Sequence, residues 1–252
     1  MGLKLNDQKV RQPYEEFYGA IVKQMPLLIA DNRVPMNTAQ IMERRLKAGE
    51  ESVGTWSDNY FGLGDAFAYK GDMVKIGLDA PVLRELTPKS SLSGGALVVS
   101  DKDYKAIEGP EFSRNELNAV LNRDLSADEA KNHPMLRALA RDQGLLNEYV
   151  DRMFEEMKDR FGYDTAMGIY LPNQSNTPNV KALFVLRLEN SRSFFGGASD
   201  LDCWYGRLVG VAPEALSAPG KAIQRPSLEA SLRVVNDTLR NAGYEITAFP
   251  RK

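Results

Sequence analysis

The sequence is poorest in the side chains that most often do chemistry: its 252 residues include one cysteine, Cys203, and one histidine, His133. A lone thiol forms no internal disulfide, and one His with one Cys cannot supply the ligands of a usual zinc site, so neither zinc nor haem is expected. Any Ser-His or Cys-His arrangement would have to use His133. That residue precedes Pro134 at a break between two predicted helices and reads as an interhelical hydrogen-bonding residue or an exposed break rather than a base. No Gly-x-x-x-x-Gly-Lys-Ser/Thr string occurs. The string Gly62-Leu63-Gly64-Asp65-Ala66-Phe67 lacks the third glycine of a dinucleotide loop and leads into a predicted strand, not a helix.

Long apolar runs are also missing, with none near the ~20 residues that span a bilayer. No sign of charge dominates: 32 Lys and Arg face 34 Asp and Glu, and the two alternate, leaving no long-range field to attract nucleic acid or a membrane surface. The densest basic cluster, Arg44-Arg45-Leu46-Lys47, falls in the last turn of a predicted helix, where cations offset the negative end of the backbone dipole. The start, Met1 to Asn6, carries no apolar signal core and has Asn6 where a myristoylation signal wants Ser or Thr. With the sparse cysteine, this gives the expectation of a soluble, cytoplasmic protein. Oligomeric state has no signature in the sequence.

What is present suffices to fold: 43% of residues are hydrophobic and 26% charged, the range of an ordinary globular chain. The pattern predicts an α+β fold over residues 1–252 as a single domain, with a subdomain boundary near 108–112 at Glu108-Gly109-Pro110. Tyr14, Phe17, Tyr18, Ile21 and Met25 recur at spacings of three and four, predicting a helix that Pro26 ends or kinks. A second helix starts at Asn37 with Gln40 at the capping spacing and stops before Gly49, and the two are expected to form a hairpin or lid. Short strands follow at Ala66 to Tyr69, Met73 to Leu78 and Ala96 to Val99, the first two joined by a Lys70-Gly71-Asp72 turn.

The middle third is helical, opened by two capping boxes, Ser113 with Glu116 and Ser126 with Glu129, and broken at His133-Pro134. The longest helix runs from about Leu145 to Phe161 and ends at Gly162. Three more strands are expected at Ala166 to Leu171, Ala182 to Leu188 and Tyr205 to Ala212, the first two joined as a hairpin through Pro172 to Pro178. The unbroken apolar run of the middle one places it inside a sheet covered on both faces. A final helix uses Leu228, Leu232, Val235 and Leu239, and a last strand runs from Tyr244 to Phe249. Because strands come in groups separated by helices, the sheet should be mainly antiparallel with a block of helices packed on one face.

Candidate chemistry reduces to carboxylates. Asp101 and Asp103 follow a predicted strand and read either as Mg²⁺ ligands or as a solvated turn. The richer stretch runs from Arg192 to Arg207. Gly196 and Gly197 give backbone access to a ligand, Asp200 and Asp202 are acceptors for a cation or proton and the metal ligands if Mg²⁺ binds, and Arg192 and Arg207 are anion partners. The structural reading of the same residues is a glycine turn with cross-strand ion pairs, and Phe194, Phe195 and Trp204 in the core. Cys203, beside Trp204, reads as an inert, partly buried thiol. The aromatic cluster Thr55 to Phe61 reads as packing or as a stacking surface. With good fold signals and no complete catalytic set, the expected function is a non-catalytic module that binds a partner protein or a small anionic ligand. The alternative is a Mg²⁺-dependent hydrolase or phosphoryl-transfer enzyme using clustered aspartates.

Overall fold

The computed structural model describes residues 12–217 apart from 189–191 and 198, and chain contacts separate Met1–Pro213 from Glu214–Lys252. The helix expected through Leu228 to Leu239 and the strand expected from Tyr244 lie outside the described residues. In chain order the elements are β1 (Tyr14–Tyr18), α1 (Ile21–Ala30), β2 (Val34–Pro35), α2 (Thr38–Lys47), α3 (Glu50–Ser57), β3 (Phe61–Lys70) and β4 (Met73–Gly77). Then come α4 (Pro81–Arg84), β5 (Leu92–Ser93), β6 (Ala96–Val98), α5 (Asp101–Ala106), β7 (Glu111–Ser113), α6 (Arg114–Leu117), α7 (Ala127–Asn132) and α8 (Pro134–Ala140). The last are α9 (Gln143–Phe161), β8 (Ile169–Tyr170), β9 (Asn179–Val185), β10 (Phe195–Gly196), β11 (Arg207–Val211) and α10 (Pro213–Ser217).

The architecture is α+β, with a mostly antiparallel sheet. β3 and β9 form its centre, and every residue of β9 is buried, as an apolar run without alternation requires. β4 pairs alongside the C-terminal half of β3 and β7 pairs with β4, while β6 pairs with β9 and β5 with β6. Two pairings are parallel, β11 with β3 and β10 with β8. β1 pairs along its whole length with β11, so the first and last described strands lie side by side.

Alternation along β3 and β9 sorts the core onto two faces. Ala66, Ala68, Val180 and Ala182 pack against Ile21, Met25 and Leu28 of α1, Leu83 of α4 and Tyr104 of α5. Phe67 and Leu183 point the other way and are fully buried. On that face lies the helical block: α9 buries Leu146, Tyr149, Val150, Met153 and Met157, and α8 and α2 add Leu136, Leu139, Ile41 and Met42.

Local signals account for most helix ends. Both Asn37 with Gln40 and Ser126 with Glu129 form complete capping boxes, whereas Ser113 accepts from Glu116 N at 3.3 Å at the start of a four-residue helix. His133 ends α7 and caps α8. Its Nδ1 accepts from Met135 N at 3.2 Å and its Nε2 donates to the Val120 carbonyl at 3.2 Å. Gly162 closes α9 in the left-handed region.

Several sequence expectations are corrected. Tyr14–Tyr18 is a strand, because its five residues complete a ladder with β11 and Gly19, at φ +131°, turns the chain before α1 begins. Pro26 lies within α1, which continues to Ala30 while burying Met25 and Leu28. The first two helices form no hairpin, since β2 intervenes and joins the sheet beside β11. Gly49 is not left-handed, at φ −77°; it is the N-cap of α3. β8 and β9 are not a hairpin either, because β10 inserts between them.

The glycine string of β3 makes a bulge. Between the pairs Gly62–Phe184 and Ala66–Ala182, β3 spends two residues more than β9. The bulge aims Asp65 inward, where its fully buried carboxylate accepts from Thr38 N (2.7 Å), Thr38 Oγ1 (2.6 Å), Asp79 N (2.8 Å) and Arg141 Nη2 (2.7 Å). Arg141 also binds Asp79 at 2.7 Å. Burial alone would raise the Asp79 carboxyl, but hydrogen bonds from Asn37 and Arg141 and the Arg141 charge hold it below its usual value.

Candidate functional site

At the β3–β9–β11 junction the small residues Gly62 and Ala182 let Ile21 and its neighbours approach the sheet closely, and Phe184 and Leu186 stand beside them. Together they line a mainly apolar cavity of about 110 Å³. Its rim is polar, carrying Tyr60, Ser199, Asp200, Cys203, Tyr205 and Arg207.

The connection from β10 to β11 builds one wall and is fastened at several points. Leu201 is fully buried, its N–H donates to Gly95 O at 2.8 Å and its carbonyl accepts from Val22 N at 3.0 Å. Gly206 O accepts from Gly19 N at 2.8 Å, and the Tyr60 hydroxyl donates to Tyr205 O at 2.6 Å. Burial, with the neighbouring Tyr18, raises the Tyr60 pKa against the opposing pull of Arg207, which keeps that phenol a donor.

Two charged groups at the rim are held by their own partners. Asp200 accepts from Lys181 Nζ at 2.8 Å through Oδ1, and Lys181 is itself buried. Gly95, at φ +69°, brings its backbone against the Asp200 side chain so closely that a Cβ would overlap it. Arg207 contacts Glu16 through Nε at 2.6 Å and Asn59 through Nη1, and its guanidinium lies over the rings of Tyr60 (5.1 Å) and Tyr18 (5.7 Å). Beside the cavity, Trp204 is 74% exposed and packs edge-on against Tyr205. Tyr18 and Tyr205 are also exposed, so this surface carries three uncovered aromatic rings.

Of the residues singled out from sequence, Asp200 and Arg207 meet on this cavity. Arg192 is elsewhere: its guanidinium stacks at 4.0 Å from the Tyr163 ring centroid and binds Asp124 at 2.7 Å. Gly196 and Gly197 lie against Phe184, Phe194, Phe67 and Pro172, where a Cβ would collide with the rings. Asp202 is exposed and does not line the cavity. Asp101 pairs with Lys70 at 2.7 Å, and Asp103 binds Ser100, the N-cap of α5. Among the described residues no three His, Cys, Asp or Glu side chains gather as a metal cage.

Sequence reasoning missed the apolar floor, Ile21, Ala182, Phe184 and Leu186, because it comes from two segments far apart in the chain. It placed Trp204 in the core, yet the ring projects to solvent. Tyr60 was visible within the aromatic cluster; its neighbour Trp56 is buried at 7% exposure, so the cluster divides between packing and the cavity rim. Arg45, read as a dipole-offsetting cation, is buried. It donates to Trp56 O (2.8 Å), Tyr149 Oη (2.9 Å), Ser193 Oγ (2.7 Å), Asn59 O (3.2 Å) and Leu186 O (3.0 Å), fixing the segments that flank the cavity.

No family model and no curated protein matches this chain. A solved structure that describes the accommodation of massive sequence variation in Nanoarchaeota by the C-type lectin fold aligns with it at a TM-score of 0.61, covering 80% of this chain and 99% of that one. The fold is that of C-type lectins. Identity between the two is 16%, so the likeness extends to the backbone and not to the roles of residues. Among the described residues no helix is long and apolar enough to cross a membrane.

Proposed function

We propose that this chain is a non-catalytic binding module on a C-type lectin fold, and that its ligand seats in the cavity between Asp200 and Arg207. The observation that carries this reading is the cavity itself: an apolar floor of Ile21, Ala182, Phe184 and Leu186, under a rim of fixed charges and exposed aromatic rings. Concave apolar sites with a few placed polar groups are where small ligands bind. In the neighbouring structure the fold tolerates massive sequence variation, which suits a scaffold whose binding properties are set by side chains on its loops. The Arg207 guanidinium is the group that would meet an anionic part of the ligand, and Trp204 and Tyr205 extend the surface available to a protein partner. The hydrolase alternative called for Asp200 and Asp202, or Asp101 and Asp103, to converge with further carboxylates, and the described residues offer no such cluster.

Cys203, the sole cysteine, lines the cavity and reports on its occupancy. Alkylation of Cys203 by iodoacetamide should slow saturably in the presence of 3-methylbutan-1-ol, a neutral probe of the apolar floor. An alkylation rate unchanged both by this probe and by small ligands that carry the same alkyl group with charged ends would sink the cavity as a binding site.

A further inference from the structure

We infer that the cavity takes a branched-chain α-amino acid as the free zwitterion, an assignment that rests on the cavity being the binding site proposed above. Three observations on the same rim carry it. The first is size. At about 110 Å³ the space is smaller than the roughly 150 Å³ apolar cavity that accommodates benzene, so it takes a small apolar group such as a branched alkyl chain.

The second is the pairing of opposite charges. Asp200 uses Oδ1 for Lys181, and its Oδ2 has no hydrogen-bond partner among the described residues. Arg207 ion-pairs with Glu16 on its Nε side and donates to Asn59 through Nη1, and its Nη2 has no hydrogen-bond partner among the described residues. One rim therefore offers a free acceptor for an ammonium and a free donor for a carboxylate, above a floor that takes the side chain.

The third is charge balance. Asp200 is ion-paired with Lys181 and Arg207 with Glu16, so the rim carries one group of each sign and each is already partly compensated. A ligand of net charge would leave that charge uncompensated against an apolar floor, at a high desolvation cost, while a zwitterion adds none. Each of its charges meets one group of opposite sign.

The test is a series of four compounds protecting Cys203 of the wild-type chain from iodoacetamide. L-leucine carries both charges, N-acetyl-L-leucine only the carboxylate, L-leucinamide only the ammonium, and 3-methylbutan-1-ol neither. L-leucine should give half-protection at a concentration about tenfold or more below either singly charged compound, equivalent to about 1.4 kcal/mol per lost contact. If N-acetyl-L-leucine or L-leucinamide protects as well as L-leucine, the zwitterion assignment is overturned in favour of a chain end bearing the single charge. If L-leucine is no better than 3-methylbutan-1-ol, the charged rim plays no part and the assignment fails while the cavity reading stands. If none of the four protects, both fail.

Discussion

Substituting Asp65 with Asn is the sharpest probe of how the bulge in β3 is held. All four groups facing that carboxylate are donors: the Thr38 N–H and hydroxyl on Oδ2, and the Asp79 N–H and an Arg141 N–H on Oδ1. An asparagine keeps one oxygen and replaces the other by a donor. Turned toward Thr38, its amide can donate to the Thr38 hydroxyl but leaves the Thr38 N–H without an acceptor. Turned the other way, it opposes two donors. The cheaper orientation orphans one buried N–H, at about 1–3 kcal/mol, and weakens the charge-assisted bond from Arg141 by a further ~1 kcal/mol. Relief of the desolvated carboxylate offsets part of this, so a net loss of about 2 kcal/mol is expected. At roughly 2–4 °C per kcal/mol for a domain of this size, the melting temperature should fall by about 4–8 °C. Thermal unfolding followed by circular dichroism reads this directly, and a double-mutant cycle with Arg141→Met should show a coupling energy of about 1 kcal/mol or more. A fall below about 2 °C with additive single effects would refute the account of the bulge.

Three further outcomes are expected. Arg45→Met should lower the melting temperature by several degrees, because the Trp56 carbonyl loses its donor in a buried setting while Tyr149 and Ser193 retain each other at 3.2 Å; an unchanged melting curve would contradict the clamp role of Arg45. Burial holds His133 down to about 4, against the Val120 hydrogen bond, so between pH 6.5 and pH 4 the unfolded chain takes up a proton that the folded one refuses. Stability should therefore fall by about 3 kcal/mol as pH drops through that window, and His133→Gln should flatten this loss in denaturant titrations at pH 7 and pH 4.5; equal losses in both proteins would disprove the assignment. Trp204→Ala, removing an exposed ring, should change stability by less than about 0.5 kcal/mol, and a larger loss would mean the ring is a packing element.

What the sequence revealed divides by range. Signals confined to a few residues read correctly: the capping boxes at Asn37 and Ser126, the break at His133-Pro134, the Gly71 turn and the apolar run of β9. The Tyr14 to Tyr18 segment misled because spacings of three and four over so few residues fit a pleated strand as well as a helix, and its pairing partner lies nearly two hundred residues away. The insertion of β10 between β8 and β9 is likewise non-local. The bulge has a local signal, since glycines within a strand pattern mark an irregular ladder, and the Gly62-x-Gly64-Asp65 string carries it even though it fails as a nucleotide motif. At the cavity, composition brought attention to the right segment, Arg192 to Arg207, but not to which of its charged residues face one another. Arg192 and Arg207 are fifteen residues apart and bind different partners, Asp124 and Glu16, because β10 and a buried Leu201 separate them.

The central claim is that the space between Asp200 and Arg207 is a ligand seat, and a crystal structure of the chain soaked with L-leucine tests it most directly. The account predicts an isobutyl group among Ile21, Phe184 and Leu186, the carboxylate at Arg207 Nη2 and the ammonium at Asp200 Oδ2. A cavity holding only water at saturating L-leucine, or leucine bound on another face of the sheet, would contradict it.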